Sequence, residues 1–543
     1  MNKKLKNFNL LAGLIIISFL ILQINSLKVG GTTWDERSMD NANILTYEKL
    51  EIVSNFDFFS NNSLNPSLTK ISSAETYGQF ISFQQFLFSR ALYDTEFTEN
   101  YFSNNNMYSS FYSKISYLRN LYLTVYTSFL LIVCYFLISK FQTKKFAVIF
   151  LLLLILIPSF SGHSLFNQKD IMFMFHIFFV SFLIIKNINS FTINKVLLIS
   201  FFSGLAISFR ISAAGFIALC VLFCMFHEYF IENNNRKFIF RKYSYFSFFS
   251  LFFYFIFSPS GWFNPIEFVQ ESINQQILLE WDGSILTNGE FILSRDMDRF
   301  YLIKWYFYKL PLIYHFFILL AFSSLSFKKL KKDKFYIYSL FFLFSVNLAF
   351  MLTKPGVYDG IRQFLFLLPF IVYISASILN QLENSLIYVL PLIIFYLIYT
   401  QSGLGPYKYV YFNELVDEEK ITYDCENIDG CGEWLTDYWG YSSKEMAQYV
   451  NTNNLTNVYF CKTVEFWDPY VVESLEPIYT DTSKLVRGEV IVATIYRPRF
   501  SDDGCDFNRN DINYDCQLVH KTTTLLRGHE VDLSYLKVCK INT

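Results

Sequence analysis

Charge is what this chain has least of. Only 17% of its 543 residues are Asp, Glu, Lys or Arg, against 53% that are hydrophobic. That balance excludes an ordinary water-soluble domain, which has no use for so much lipid-compatible side chain. No basic excess exists either: the net charge is −1, which argues against a nucleic-acid binder, because neutralising phosphates needs a basic face. No C-x-x-C pair occurs among the 9 cysteines, and their irregular spacing argues against a structural zinc site. No small-residue cleavage site follows the first apolar run, around Gln23 to Leu27, so that run reads as a retained anchor and not as a signal peptide. Internal repeats are absent, and the polar groups lie at the ends of the apolar runs. Both facts weigh against a secondary transporter, the reading that repeated halves and mid-membrane polar groups would favour.

What the chain does have is long apolar runs, with 64 Phe and 38 Tyr. Hydropathy predicts about eleven membrane spans, near 9–26, 120–138, 146–160, 171–186, 195–209, 212–227, 244–258, 310–326, 335–352, 363–379 and 385–400. Their lengths suit a hydrocarbon core of about 30 Å. Lysines and arginines gather on alternate connections: Lys3, Lys4 and Lys6; Lys140, Lys144 and Lys145; Lys186 and Lys195; Arg236, Lys237, Arg241 and Lys242; and Lys328 to Lys334. The positive-inside rule makes that face cytoplasmic and the N-terminus cytoplasmic with it. The predicted fold is therefore a polytopic α-helical membrane domain over 1–400, with an outer loop at 27–119 whose short helices lie in the interface. A soluble α+β domain at 401–543 follows on the opposite, periplasmic face.

Cysteine usage fits that orientation. Cys134, Cys220 and Cys224 fall in spans, where cysteine is a small apolar residue. Cys425, Cys431, Cys461, Cys505, Cys516 and Cys539 all fall in the tail, and an even number concentrated there predicts disulfides in an oxidising compartment.

The polar constellations all lie on the outer connections: Trp34-Asp35-Glu36-Arg37, then Gly162-His163-Ser164-Leu165-Phe166-Asn167-Gln168-Lys169-Asp170, then Val357-Tyr358-Asp359-Gly360-Ile361-Arg362-Gln363-Phe364, then Tyr407 to Asn413 with Asp437-Tyr438-Trp439-Gly440. Charge near a bilayer is costly, so clusters kept at span ends are functional candidates. In order and spacing these four stretches resemble the acidic first-loop motif, the "GHS-FN-KD" and "YDGIRH-F" segments, and the "YNE" and "DYWG" segments of the GT-C superfamily. Within it, the likeness is to the bacterial group related to protein O-mannosyltransferases and aminoarabinose transferases. The resemblance spans residues 30 to 445. Two departures stand out: Arg37, Ser38 and Met39 follow the acidic pair where relatives carry Pro, a small residue and His, and Gln168 replaces the usual Pro before Lys169.

The resemblance implies a GT-C-like bundle that transfers a sugar from a polyprenyl-phosphate donor to an acceptor hydroxyl on a lipid, glycan or protein, in a bacterial inner membrane. Such transfer needs a base for the hydroxyl and cations for the leaving phosphate. Asp35 is the expected base, with Glu36 second. Lys169, Arg210 and Arg362 are the expected phosphate-binding cations, Arg offering a bidentate fork and Lys a point charge. His163 and Asp170 are expected to orient the site, Asp170 as a partner for Lys169. Asn167, Tyr358 and Asp359 complete the candidate binding set. No metal ligands are assigned and no cofactor is required; the acidic pair permits a divalent cation without demanding one. Plainer readings stand beside these: Lys169-Asp170 as an ion pair capping the fourth span, Arg210 as a turn residue, and Tyr438-Trp439 as an aromatic anchor for the tail. An O-antigen polymerase or ligase is the alternative glycan enzyme.

Overall fold

The computed structural model describes residues 3–33, 45–55, 59–60, 63–64, 67, 70–71, 73–76, 79–92, 110–187, 192–232, 235–277, 283–324, 330, 332–382, 384–421, 433–434, 436–456, 458–460, 470, 478–479, 489–495 and 513–542. Among the described residues the eleven apolar runs are mostly helical, but 146–160 is divided between Lys144–Ile155 and Pro158–His163, and 244–258 runs past the end of Arg236–Ile256. Six described helices are long and apolar enough to cross a membrane: Asn7–Leu27, Ser113–Phe141, Gln168–Lys186, Ala213–Phe230, Lys334–Thr353 and Arg362–Leu382. Ile193–Phe209, Leu312–Ser323 and Leu386–Gln401 are apolar but shorter. Lys144–Ile155 has 12 residues, and Arg236–Ile256 opens with Arg236, Lys237, Arg241 and Lys242.

The helix Gln168–Lys186 occupies the centre. Beyond its polar first turn it is largely apolar, and every residue from Gln168 to Ile185 is buried, as in a helix enclosed by neighbours on all sides. Ile193–Phe209, Ala213–Phe230, Lys334–Thr353 and Leu368–Leu379 pack around it. Where Ile193–Phe209 meets Arg236–Ile256, only a glycine fits: a Cβ on Gly204 would come within 2.5 Å of the Phe253 Cβ, the close approach that small residues allow between membrane helices. Outer helices present apolar stripes at i, i+3 or i+4 spacing, such as Leu222, Phe226 and Phe230, or Leu392, Phe395 and Ile398. Continuous exposed apolar surface of this kind needs lipid against it. The chain is a multi-pass membrane protein.

After Gln401 the chain turns back onto the end of the bundle, and Leu404, Tyr407, Tyr409, Val410, Tyr411 and Phe412 are buried there. Beyond lie the helix Ser443–Thr452 and a five-stranded sheet in the order Ile478–Tyr479, Val458–Phe460, Glu489–Ile495, His529–Asn542, Asn513–Leu526. The first two pairings are parallel and the last two antiparallel. A short hairpin, Ser284–Thr287 with Glu290–Leu293, lies beside Trp434 through a bridge from Thr287.

Candidate active site at one end of the bundle

The site is built on the turn that leads into the central helix. Pro158 opens the short helix Pro158–His163, where its missing N–H costs nothing. A Cβ on Gly162 would fall 2.2 Å from the Tyr409 backbone nitrogen, so glycine is what lets the returning tail lie against this turn. From the first helix, Gln23 Nε2 donates to the Ser161 carbonyl at 2.9 Å and to Ser164 Oγ at 3.0 Å. Asn167 caps the central helix: its Oδ1 accepts from the Asp170 N–H, and its Nδ2 donates to Asp170 Oδ2 at 2.9 Å, a reciprocal cap on the helix N-terminus. Lys169 and Asp170 thus sit in the first turn, both buried.

Arg210 comes from elsewhere. It ends the helix Ile193–Phe209 in extended backbone and forms a buried salt bridge with Asp170. That corrects two expectations: Asp170 pairs with Arg210 instead of Lys169, and Arg210 is more than a turn residue. Its guanidinium also lies 6.0 Å from the Phe173 ring centroid.

The third stretch is held by side chains from the connection before it. Ser294 Oγ donates to the Val357 carbonyl at 2.6 Å, and the Tyr301 hydroxyl reaches the Tyr358 and Gly360 carbonyls at 3.1 and 3.2 Å. Gly360 has φ +68°, left-handed backbone open to glycine without strain, and this reversal brings Asp359 and Arg362 into the interior. Arg362 stacks between two rings, its Cζ 4.2 Å from the Tyr358 centroid and 4.4 Å from that of Trp439. Aromatic faces attract a guanidinium without neutralising it.

The tail closes the site. Asp437, fully buried, accepts from the Tyr409 hydroxyl, from the Tyr441 N–H at 3.0 Å and from the Ser442 N–H at 2.8 Å. Burial pushes its carboxyl up, and those donors oppose the shift. This staple sets the Tyr438 hydroxyl 3.3 Å from His163 Nε2, while His163 Nδ1 faces Asn167 Nδ2 at 3.2 Å. Because the Asn167 amide donates, Nδ1 accepts and Nε2–H points at Tyr438. Desolvation first, then Arg362 and Lys309, hold His163 well below its ordinary 6.5, so it is neutral at pH 7. Tyr438 and Trp439 are 3% and 1% exposed, so they are part of the site's wall and not an anchor facing the membrane interface.

Of the residues expected from sequence, the structure gathers His163, Asn167, Lys169, Asp170, Arg210, Tyr358, Asp359 and Arg362 at this end, and all but Tyr358 are buried. Asp35 and Glu36 lie outside the described residues. The chain enters their segment beside the staple, Gly31 N–H donating to the Tyr441 carbonyl at 2.8 Å. Sequence reasoning missed Tyr301 and Lys309. Lys309 is buried with its Nζ on the Tyr409 and Val410 carbonyls and 3.6 Å from the Phe412 ring centroid; nothing in a Lys at a helix end signals that. Among the described residues no group of three or more His, Cys, Asp or Glu is placed to hold a metal ion.

A helical membrane bundle with a buried polar site at one end, closed by the chain that follows Gln401, is thus the class of protein. Over 96% of this chain and 97% of the other, the fold is similar to that of ArnT from Cupriavidus metallidurans, solved bound to undecaprenyl phosphate, with a TM-score of 0.50 and 10% sequence identity. No protein-family model matches the sequence, and no curated protein does.

Proposed function

We propose that this protein is a membrane glycosyltransferase that moves a sugar from a polyprenyl-phosphate donor to an acceptor hydroxyl. The observation that carries the reading is the burial of cations from three separate segments, Lys169, Arg210 and Arg362, at one end of the bundle around His163 and Tyr438. Desolvated cations and a helix N-terminus are what a departing phosphate requires. ArnT's bound undecaprenyl phosphate supports a lipid of that class here. In the reaction a carboxylate takes the acceptor's proton, the acceptor oxygen bonds to the anomeric carbon, and the bond from that carbon to the phosphate oxygen breaks with its electron pair leaving on phosphate. Asp35 is the base in this scheme, and Glu36 stands next to it. Arg362 and Lys169 hold the donor phosphate; Arg210 and Asp170 fix the helix end that presents Lys169.

On this reading the eleven expected crossings, an odd number, put the N-terminus and the 401–543 tail on opposite faces of a bacterial inner membrane, and the lysine-rich connections make the N-terminal face cytoplasmic and the tail periplasmic. Cys516 and Cys539 are Cα partners on adjacent antiparallel strands, and disulfides in the tail are expected on this reading because it faces an oxidising compartment. Cys425, Cys431, Cys461 and Cys505 lie outside the described residues.

The test of the reaction is Asp35→Asn in nanodiscs supplied with a polyprenyl-phosphate sugar. Loss of a general base costs roughly 10² to 10⁴ in rate, with donor binding retained, and Glu36→Gln should be milder. Parental turnover in both variants would refute the assignment of the base.

A further inference from the structure

We propose that the opposite end of the bundle carries a second binding site, for a phosphate group presented by an anionic phospholipid headgroup. A cavity of about 500 Å³ there is lined by Gln142, Lys186, Lys332, Lys334, Asn380 and Gln381 around Asp333. Its position relative to the bilayer follows from the helices. Gln142 comes one residue after the span Ser113–Phe141, Lys186 ends Gln168–Lys186, Lys334 opens Lys334–Thr353, and Asn380 and Gln381 lie in the last turn of Arg362–Leu382. Four span ends meeting at one cavity set it at headgroup level. The central helix has 19 residues between Gln168 at the transferase site and Lys186 here, roughly 28 Å at 1.5 Å per residue. The two sites therefore face opposite leaflets, and this one does not depend on the transferase reading.

The lining chemistry selects an anion. Asp333 does not oppose one, because its carboxylate is already occupied: Oδ1 accepts from Lys186 Nζ at 2.7 Å and caps the next helix through the Phe335 N–H at 3.1 Å, while Oδ2 accepts from Gln142 Nε2 at 2.8 Å and from the Tyr373 hydroxyl at 2.6 Å. It braces the wall. Lys334 is bridged to Glu232 at 2.6 Å, and Lys332, at the mouth, is exposed. Lys186 is matched by Asp333 and Lys334 by Glu232, so the lining keeps a net positive charge at Lys332, flanked by Asn and Gln amides able to donate to phosphodiester oxygens. Lys140, Lys144 and Lys145 carry the same sign along the adjoining helix ends. A basic pocket between membrane helices at this depth is suited to a phosphate headgroup.

The experiment uses the full chain in nanodiscs of dioleoyl-phosphatidylcholine, alone or in equimolar mixture with dioleoyl-phosphatidylglycerol, with retained lipid counted by native mass spectrometry. Parental protein should retain phosphatidylglycerol selectively. Lys332→Gln should lower that retention about five-fold, the equivalent of about 1 kcal/mol for one lysine near the surface, whereas Lys237→Gln, which removes an exposed charge at the start of Arg236–Ile256, should leave it unchanged. Equal retention of both lipids overturns the proposal. So does an equal loss in both variants, which would mean a diffuse basic surface and no site. Added inorganic phosphate separates the sources: lipid retention that survives it supports the headgroup, and complete displacement by it assigns the cavity to free phosphate instead.

Discussion

At the lysine-rich end of the bundle, Glu228 on one helix is shut in by Lys242 and Tyr243 on the next, each 2.6 Å from the same carboxylate oxygen, with both partners of the ion pair buried. At the other end Asp170 takes Arg210 and Asn167, and Arg362 lies between the rings of Tyr358 and Trp439. The first arrangement matches charge to charge between two neighbouring helices and behaves as a strut. The second draws its groups from four stretches of chain and sets a guanidinium against two ring faces. Buried charge is thus no marker of a site by itself; what differs is how many separate segments of the chain meet around it.

Breaking each arrangement should therefore fail in a different measurement. The largest effect expected is at the strut: Lys242→Met leaves Glu228 buried without its cation, a loss of about 3 to 5 kcal/mol. Thermal unfolding in detergent should show it, and adding Glu228→Gln should restore much of the stability. If the single variant is as stable as the parent, the pair is not a strut. Arg362→Ala should leave the unfolding temperature near the parental value and raise the donor concentration needed for half-maximal turnover, since a charge-assisted hydrogen bond contributes about 1.5 to 3 kcal/mol. Arg362→Lys should recover little of it, lacking the fork and the flat face that stack on Tyr358 and Trp439. Donor titrations that superimpose for all three proteins would contradict the assignment.

A smaller effect is expected from acid. His163 is held neutral in the folded chain, below its ordinary 6.5, so in the unfolded chain it takes up a proton that the folded chain refuses. Stability from this group is present above about pH 6.5 and is lost as pH falls through that value. His163→Gln should flatten the decline in unfolding temperature between roughly pH 7 and pH 5; an identical slope in parent and variant would show that other groups cause it. Smallest of all is Tyr438→Phe, which removes the hydroxyl facing His163 and should cost about 1 kcal/mol. Turnover reduced by several-fold with unchanged unfolding would place Tyr438 as a positioning residue for His163, and no change in turnover would reduce it to wall.

Much of the site was legible because the groups sit in short contiguous runs at span ends. His163 to Asp170 and Tyr358 to Arg362 each declare themselves as polar residues where apolar ones would be cheaper. Arg210 was visible as a charge between apolar runs, but its partner was not, since the bridge to Asp170 spans 40 residues. Tyr438 was misjudged for the same reason: an aromatic pair next to a membrane domain looks like an anchor until a contact 275 residues away is known.

The sequence alone determined the membrane class, the helical segments and the end of each on which charge would gather, because hydropathy over about 20 residues and lysine counts in short loops are local properties that lipid and water read directly. Only the tertiary structure decided which carboxylate meets which cation, that Asp437 staples the tail onto Gly162's turn, and that four span ends enclose a cavity around Asp333. Those outcomes depend on helices packing at separations of one glycine or one ring. No local pattern encodes distances between segments a hundred residues apart.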